Sequence, residues 1–259
     1  MATPMTPTPQ QWDAFVSSHP RAHILQLSAW AGQKRPYGWE SARVALEDGG
    51  LIVAGAQLLF RRLPFRLGTM AYLPMAPLVT GAGQREALWS AIDAACRQRR
   101  AAFLKWEPGI LEDGDPPPNA AAGFRRSPQT IQPPRTILID ISGDDAVILA
   151  RMNQGTRRKI RQSQKSGVRC YQASRDDVTK FTRMMQTTGS RNAFGVHEPS
   201  YYTLAYDLFV PQHAALILAE HTDSETEDTP ERADDLAGVF VFAIGKTAWY
   251  FYGASSSVK

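Results

Sequence analysis

At 259 residues, with 43% hydrophobic and 21% charged side chains, the chain can hold one large or two ordinary domains with real cores, and is too apolar to be disordered. A net charge of +4 and a pI near 9.1 permit an anionic partner without requiring one. Cys96 and Cys170 form neither a disulfide framework nor a metal-ligand spacing, MATPMTPTPQ lacks the regions of a signal peptide, and no run of about 18 apolar residues exists, which excludes a cysteine-stapled module and a membrane-spanning helix and suits a reducing cytoplasm.

In chain order, residues 8–20 predict a short helix, with Trp12, Phe15 and Val16 on one side and Pro20 as its stop. Across residues 23–40, Ile24, Leu25, Leu27 and Trp30 supply core contacts, while Gln33, Lys34 and Arg35 form a polar edge before Pro36. Residues 42–48 and 51–60 read as a hairpin across Gly49-Gly50, with a further strand at 68–73. A long helix follows Gly83, striped by Leu88, Ile92, Ala95 and Cys96. Its start, TGAGQREALW, has neither dinucleotide-loop nor P-loop spacing. AAFLKWEP predicts a strand buried by its apolar run, and the proline-rich residues 109–134 predict a linker.

The richest stretch is residues 136–168. Ile137, Ile139 and Ile141 alternate along an expected strand, and Ser142 with Asp145 has the form of a capping box opening a helix sided by Val147, Ile148 and Met152. From Arg157 onward the helix changes character. Arg157, Arg161 and Lys165 stack on one face at i, i+4, i+8, and Arg158, Lys159 and Arg169 widen the patch. No Asp or Glu lies between Asp145 and Asp176. Two readings fit: a solvated basic face that suits a helix C-terminus, or a reader of phosphates.

Cys170-Tyr171 ends a strand, and residues 176–186 predict a helix whose core face is Val178, Phe181, Met184 and Met185. Residues 187–198 read as a polar, glycine-bearing binding loop before an aromatic helix with Tyr201 and Tyr202 in the core. Residues 214–221 and 236–257 predict strands, separated by an acidic solvated stretch. In the last strand, alternation puts Tyr250 and Tyr252 on one face, Trp249 and Phe251 on the other.

Several of these stretches resemble the Fem family, the peptidoglycan-bridge aminoacyl transferases. Asp140-Ile141-Ser142 followed by R-x-x-I-R at 157–161 and K-x-G-V at 165–168 is similar to a family segment. So are Gln26, Trp30 and Lys34 as Q-x-x-x-W-x-x-x-K, and Tyr72, Pro74 and Pro77 as Y-x-P-x-x-P, with Ala76 where glycine is common. Gly123 to Ser127, and Thr188, Arg191 and Phe194 before Tyr201-Tyr202, match further motifs. W-Y-x-Y-G-A-S-S at 249–256 is the most specific of them.

The resemblance implies an α/β (α+β) fold of two acetyltransferase-like (GNAT) domains, residues 1–134 and 135–259, the second incomplete at Lys259. It implies transfer of an amino acid from aminoacyl-tRNA to the amine of a UDP-linked or lipid-linked peptidoglycan precursor, without a cofactor. It places the protein in the cytoplasm, in peripheral association with the inner membrane face. Carried over residue by residue, Lys34 and Arg191 would bind the precursor and its phosphates, Tyr252 would line the acceptor channel, and Arg157, Arg161 and Lys165 would hold tRNA. Because later family elements complete the second domain, a chain stopping at Lys259 is expected to be inactive and less soluble than an extended one.

No H-E-x-x-H, Cys/His cluster or G-x-S-x-G is present, which argues against a metal hydrolase or an α/β-hydrolase. The five histidines, His19, His23, His197, His213 and His221, have no catalytic partner legible in sequence. A GNAT-type N-acyltransferase acting on another small amine is a rival, although the usual coenzyme A pyrophosphate loop is not visible. A non-enzymatic RNA or polyanion binder is the other. Neither rival nor resemblance names catalytic residues.

Overall fold

A computed structural model describes residues 2–110, 123–222 and 233–257. The chain divides into two compact units, Met1–Pro133 with Ala243–Thr247, and Pro134–Phe242 with Ala248–Lys259. Both are mixed α/β.

The first unit runs β1 (Thr3–Met5), α1 (Pro9–Ser18), α2 (Ser28–Lys34), β2 (Trp39–Asp48), β3 (Leu51–Arg62), β4 (Thr69–Pro74), β5 (Leu78–Val79), α3 (Arg85–Gln98) and β6 (Ala101–Glu107). Thr8 and Gln11 close a capping box at the start of α1, satisfying two otherwise orphaned amides. The helix buries Trp12, Phe15 and Val16. Gly49-Gly50, both at positive φ, turns β2 into β3. The sheet order is β1-β2-β3-β4-β6, antiparallel except for the β4–β6 pair, and β5 joins β3. Leu46, Leu58, Phe60 and Leu73 meet Leu88, Ile92 and Cys96 of α3 in the core. Gly55 is required here: a Cβ would sit 2.5 Å from the Trp12 ring.

The burial expected for β6 does not hold. Among the described residues it is the outer strand of the sheet, paired with β4 alone, and Phe103 is 49% exposed. An apolar run signals a buried strand only when neighbours cover both sides. Gln33 also departs from the expected polar edge, being 1% exposed.

The second unit runs α4 (Asp145–Arg151), α5 (Gln154–Lys165), β7 (Val168–Gln172), α6 (Val178–Asn192), α7 (Pro199–Phe209), β8 (Ala214–Thr222), β9 (Ala233–Ile244) and β10 (Thr247–Ser255). Its sheet order is β10-β9-β8-β7. Phe181, Tyr202, Phe209, Phe240 and Phe242 are nearly inaccessible and form its aromatic core. Gly238 lets α6 approach β9, since a Cβ would lie 2.7 Å from both Leu218 and Phe181.

Residues 136–142 are not a strand. Among the described residues no backbone hydrogen bond ties them to any sheet, and Ile137, Leu138, Ile139 and Ile141 are 62–86% exposed. Alternation assigns faces, but a strand also needs a hydrogen-bonding neighbour. Instead, Arg151 donates to the carbonyls of Asp140 and Ser142 and pairs with the Asp140 carboxylate at 3.0 Å. The single long helix expected after Ser142 is two. Asp144, not Ser142, caps α4 by accepting from the Val147 amide, and Asn153 starts α5 by accepting from Thr156. α4 buries no residue. The expected loop at 187–198 is also shorter, because α6 continues to Asn192 and places Thr188 and Arg191 in its last turns. The 111–122 part of the linker and the 223–232 part of the acidic stretch lie outside the described residues.

Candidate active site

In the first unit, the Gln26/Trp30/Lys34 motif separates into three jobs. Gln26 is wholly buried: its Nε2 donates to the carbonyls of Pro74 at 2.6 Å and Gln57 at 3.2 Å, and its Oε1 accepts from the Gln57 amide at 2.8 Å. Gln57 Nε2 in turn donates to Leu27 O at 2.8 Å. This cross-brace fixes the start of α2 against β3 and the end of β4. Trp30 is 4% exposed and serves as a platform. The Lys34 ammonium lies 4.5 Å above its ring, a cation–π arrangement. Burial pushes the Lys34 ammonium down to about 8. Lys34 is therefore no ordinary helix-end cation. Its ammonium keeps its charge at neutral pH at a desolvation cost, which a neighbouring anion offsets.

The same unit holds a cluster that sequence reading missed. At the end of β6, the Glu107 carboxylate accepts from the Tyr72 phenol at 2.5 Å and from the amides of Ile131 and Gln132 at 2.5 and 3.2 Å. Gln132 Nε2 donates to the Tyr72 oxygen at 3.2 Å. Burial, then the bond to Glu107, pushes the Tyr72 phenol upward, so it stays a donor. The available signal was the single acid closing the apolar stretch AAFLKWEP.

In the second unit, Arg191 does not stand free. Its two terminal nitrogens donate to Ser256 O at 2.9 Å and Ser255 Oγ at 2.8 Å. Thr188 Oγ both donates to Ser255 O and accepts from the Ser255 amide, each at 3.0 Å. The last turns of α6 thus pin the turn after β10. Within β10, Tyr250 is 75% exposed, while Tyr252 on the same face turns inward and donates to Tyr201 Oη at 3.2 Å. Burial, then the neighbouring Tyr201, drives the Tyr252 phenol upward. Tyr201 and Tyr202 are core, as expected, at 2% and 1% exposure. Stacked on Tyr201 lies the imidazole of His197, ring centroids 3.8 Å apart.

The basic helix is as uncompensated in space as in sequence. Gln154, Arg157, Arg158, Arg161, Gln162 and Lys165 line an open groove along α5. Among the described residues none of its cations meets a carboxylate within ion-pair distance. Arg157 alone is partly tethered, donating to Met152 O.

The FemAB family model matches residues 8–114 and 122–229. A lipid II:glycine glycyltransferase of Staphylococcus saprophyticus is 32% identical over 220 residues, covering 80% of this chain and 53% of the relative. That of Staphylococcus haemolyticus is 32% identical over 216 residues, covering 78% and 51%. The chain spans about half the length of the curated relatives it matches. A crystal structure of FemX superposes with a TM-score of 0.88 at 24% identity, covering 98% of this chain and 81% of that one, which establishes the shared fold.

Proposed function

The chain belongs to the FemAB family, and from that premise we propose that it transfers an amino acid from aminoacyl-tRNA to the amine of a peptidoglycan precursor, building an interpeptide bridge. The observation that carries this reading is the similarity, across 80% of the chain, to enzymes named lipid II:glycine glycyltransferases. Their acceptor is lipid-linked, so a lipid-linked muropeptide is the first acceptor to test and the UDP-linked form the second. Among the described residues no helix is long and apolar enough to cross a membrane. The reading puts the transfer at the cytoplasmic side, with peripheral contact to the inner membrane face.

The chemistry suits the side chains. An aminoacyl ester is already activated, so positioning and stabilisation of the developing oxyanion supply most of the acceleration. Lys34 binds precursor phosphate: an anion beside its partly desolvated ammonium offsets the cost of burying that charge. Arg191 uses two nitrogens on Ser255 and Ser256, and a guanidinium carries five N–H donors, so it can hold that turn and still reach a phosphate. Tyr252 lines the acceptor channel. The Arg157/Arg161/Lys165 face takes tRNA phosphates.

The test is a panel of charged tRNAs against soluble and lipid-linked precursors. Transfer that requires the aminoacyl group and a muropeptide amine is expected of the protein with its second domain complete. Acyl transfer from coenzyme A instead, or tRNA binding indifferent to the aminoacyl group with no product, would overturn the reading. Lys34→Ala and Arg191→Ala should each raise KM for the precursor more than KM for the tRNA.

A further inference from the structure

His197 lies in the short connection between α6 and α7, exposed to solvent yet held in place. Its imidazole lies flat on the Tyr201 ring, 15° between planes, and edge-on to Tyr252 at 6.3 Å. The connection itself has little freedom. Gly189 of α6 sits so close to it that a Cβ would meet Val196 at 2.7 Å and the Phe194 carbonyl at 3.0 Å. The Tyr202 phenol is hydrogen-bonded to the His197 backbone. A solvent-reaching imidazole is thereby fixed on the outer face of the Tyr201–Tyr252 phenol pair.

The transfer reaction has a proton to move. The acceptor amine is an ammonium at neutral pH and must lose a proton to attack. Once the N–C bond forms, the nitrogen sheds a second proton as the ester C–O bond breaks, and the departing ribose oxygen needs one. The rings that meet His197 include the phenols of Tyr201 and Tyr202 from α7 and of Tyr252 from β10. Glu198 follows it in the chain, and Arg191 of α6 is pinned to Ser255 and Ser256. Of these side-chain types, only imidazole exchanges protons readily between pH 5 and 8. The phenols of Tyr202 and Tyr252 are pushed upward, first by burial, and stay protonated.

We propose that His197 is the proton carrier of the transfer, taking a proton from the attacking amine and delivering it to the departing ribose oxygen. The inference rests on the aminoacyl-transfer reading and adds to it the residue that moves the proton. It also places a third member beside Tyr252 and Tyr201 at the acceptor channel.

His197→Phe keeps a flat ring on Tyr201 and removes the exchangeable proton, His197→Gln keeps polarity, and His197→Gly opens a gap. For each, kcat and both KM values are measured from pH 5.5 to 9 alongside the parent chain. At pH 7, kcat is expected to fall roughly 100- to 1,000-fold in the Phe and Gln variants, with both KM values held and the acid limb of the kcat profile gone. Free imidazole is expected to restore part of the activity of His197→Gly. A His197→Phe variant that retains the parental kcat and acid limb overturns the proposal and reduces the ring to packing. A parent protein that transfers nothing with its second domain complete overturns the transfer reading itself, so the two failures are distinguishable.

Discussion

Replacing Lys34 by Met should make the unliganded protein more stable, and the size of the gain follows from the ammonium's surroundings. Burial brings Lys34 from 10.5 to about 8, which corresponds to about 3 kcal/mol against the charged form in the folded state. Losing the cation–π contact with Trp30 gives back about 1 kcal/mol. A net gain of about 2 kcal/mol at pH 7 remains, or about 4–8 °C in Tm for a chain of this size. The sign is set by linkage. Below pH 8 both folded and unfolded chains carry the proton, and the folded one bears the full cost. Between about 8 and 10.5 the folded chain releases it while the unfolded chain keeps it, so the parent gains stability as pH rises and the variant's advantage shrinks. Urea unfolding of parent and variant at pH 7, 9 and 10.5 measures this directly. A variant less stable at pH 7, or a difference indifferent to pH, would refute the argument that desolvation governs this lysine. The same variant should bind a phosphorylated muropeptide far more weakly, which sets stability against function at one side chain.

Replacing Arg157, Arg161 and Lys165 together by Gln should flatten the dependence of log Kd for tRNA on log salt by roughly 2, with unfolding unchanged; a parental slope would remove α5 from the RNA contact. Gln26→Leu strands the Pro74 and Gln57 carbonyls and the Gln57 amide, at about 3–5 kcal/mol for a group of buried orphans, and a loss under 1 kcal/mol in denaturant titration would show that the cross-brace is dispensable. Thr188→Val keeps the shape but leaves Ser255 N–H and C=O without their shared partner; a loss of about 1–3 kcal/mol is expected, together with a change in near-ultraviolet signal as Tyr252 loosens.

Where neighbouring residues decide the outcome, the sequence was legible. Thr8 with Gln11 caps α1, Gly49-Gly50 turns β2 into β3, and the 3.6-residue stripe of α3 faces the core. The motif residues Gln26, Trp30, Tyr72, Tyr201 and Tyr252 are all buried or half-buried. What failed depends on distant partners. β6 looked buried because its composition could not reveal that no described strand pairs beyond it. Thr188 and Arg191 looked like a loop because Gly189 weakens helix propensity, whereas packing against Val196 keeps the helix going. Lys34 looked exposed because a helix-end lysine usually is. Glu107 and His197 belong to no motif, and only folding brings Gln132 to the first and Tyr201 to the second.

The run of bare isoleucines at 137–141 has a colloidal consequence. A net charge of +4 spread over the whole chain gives weak long-range repulsion at physiological salt, where charges are screened beyond about 8 Å. Against that stand Ile137, Ile139 and Ile141, each more than 60% exposed and alternating along a backbone that, among the described residues, makes no hydrogen bond to a strand. Two chains that meet there find apolar side chains and amide partners together. These few residues are expected to weigh heavily in the second virial coefficient. Adding salt will lower it further, because screening removes the repulsion and leaves the attraction, and a single charge at Ile139 will do more to raise it than several added elsewhere.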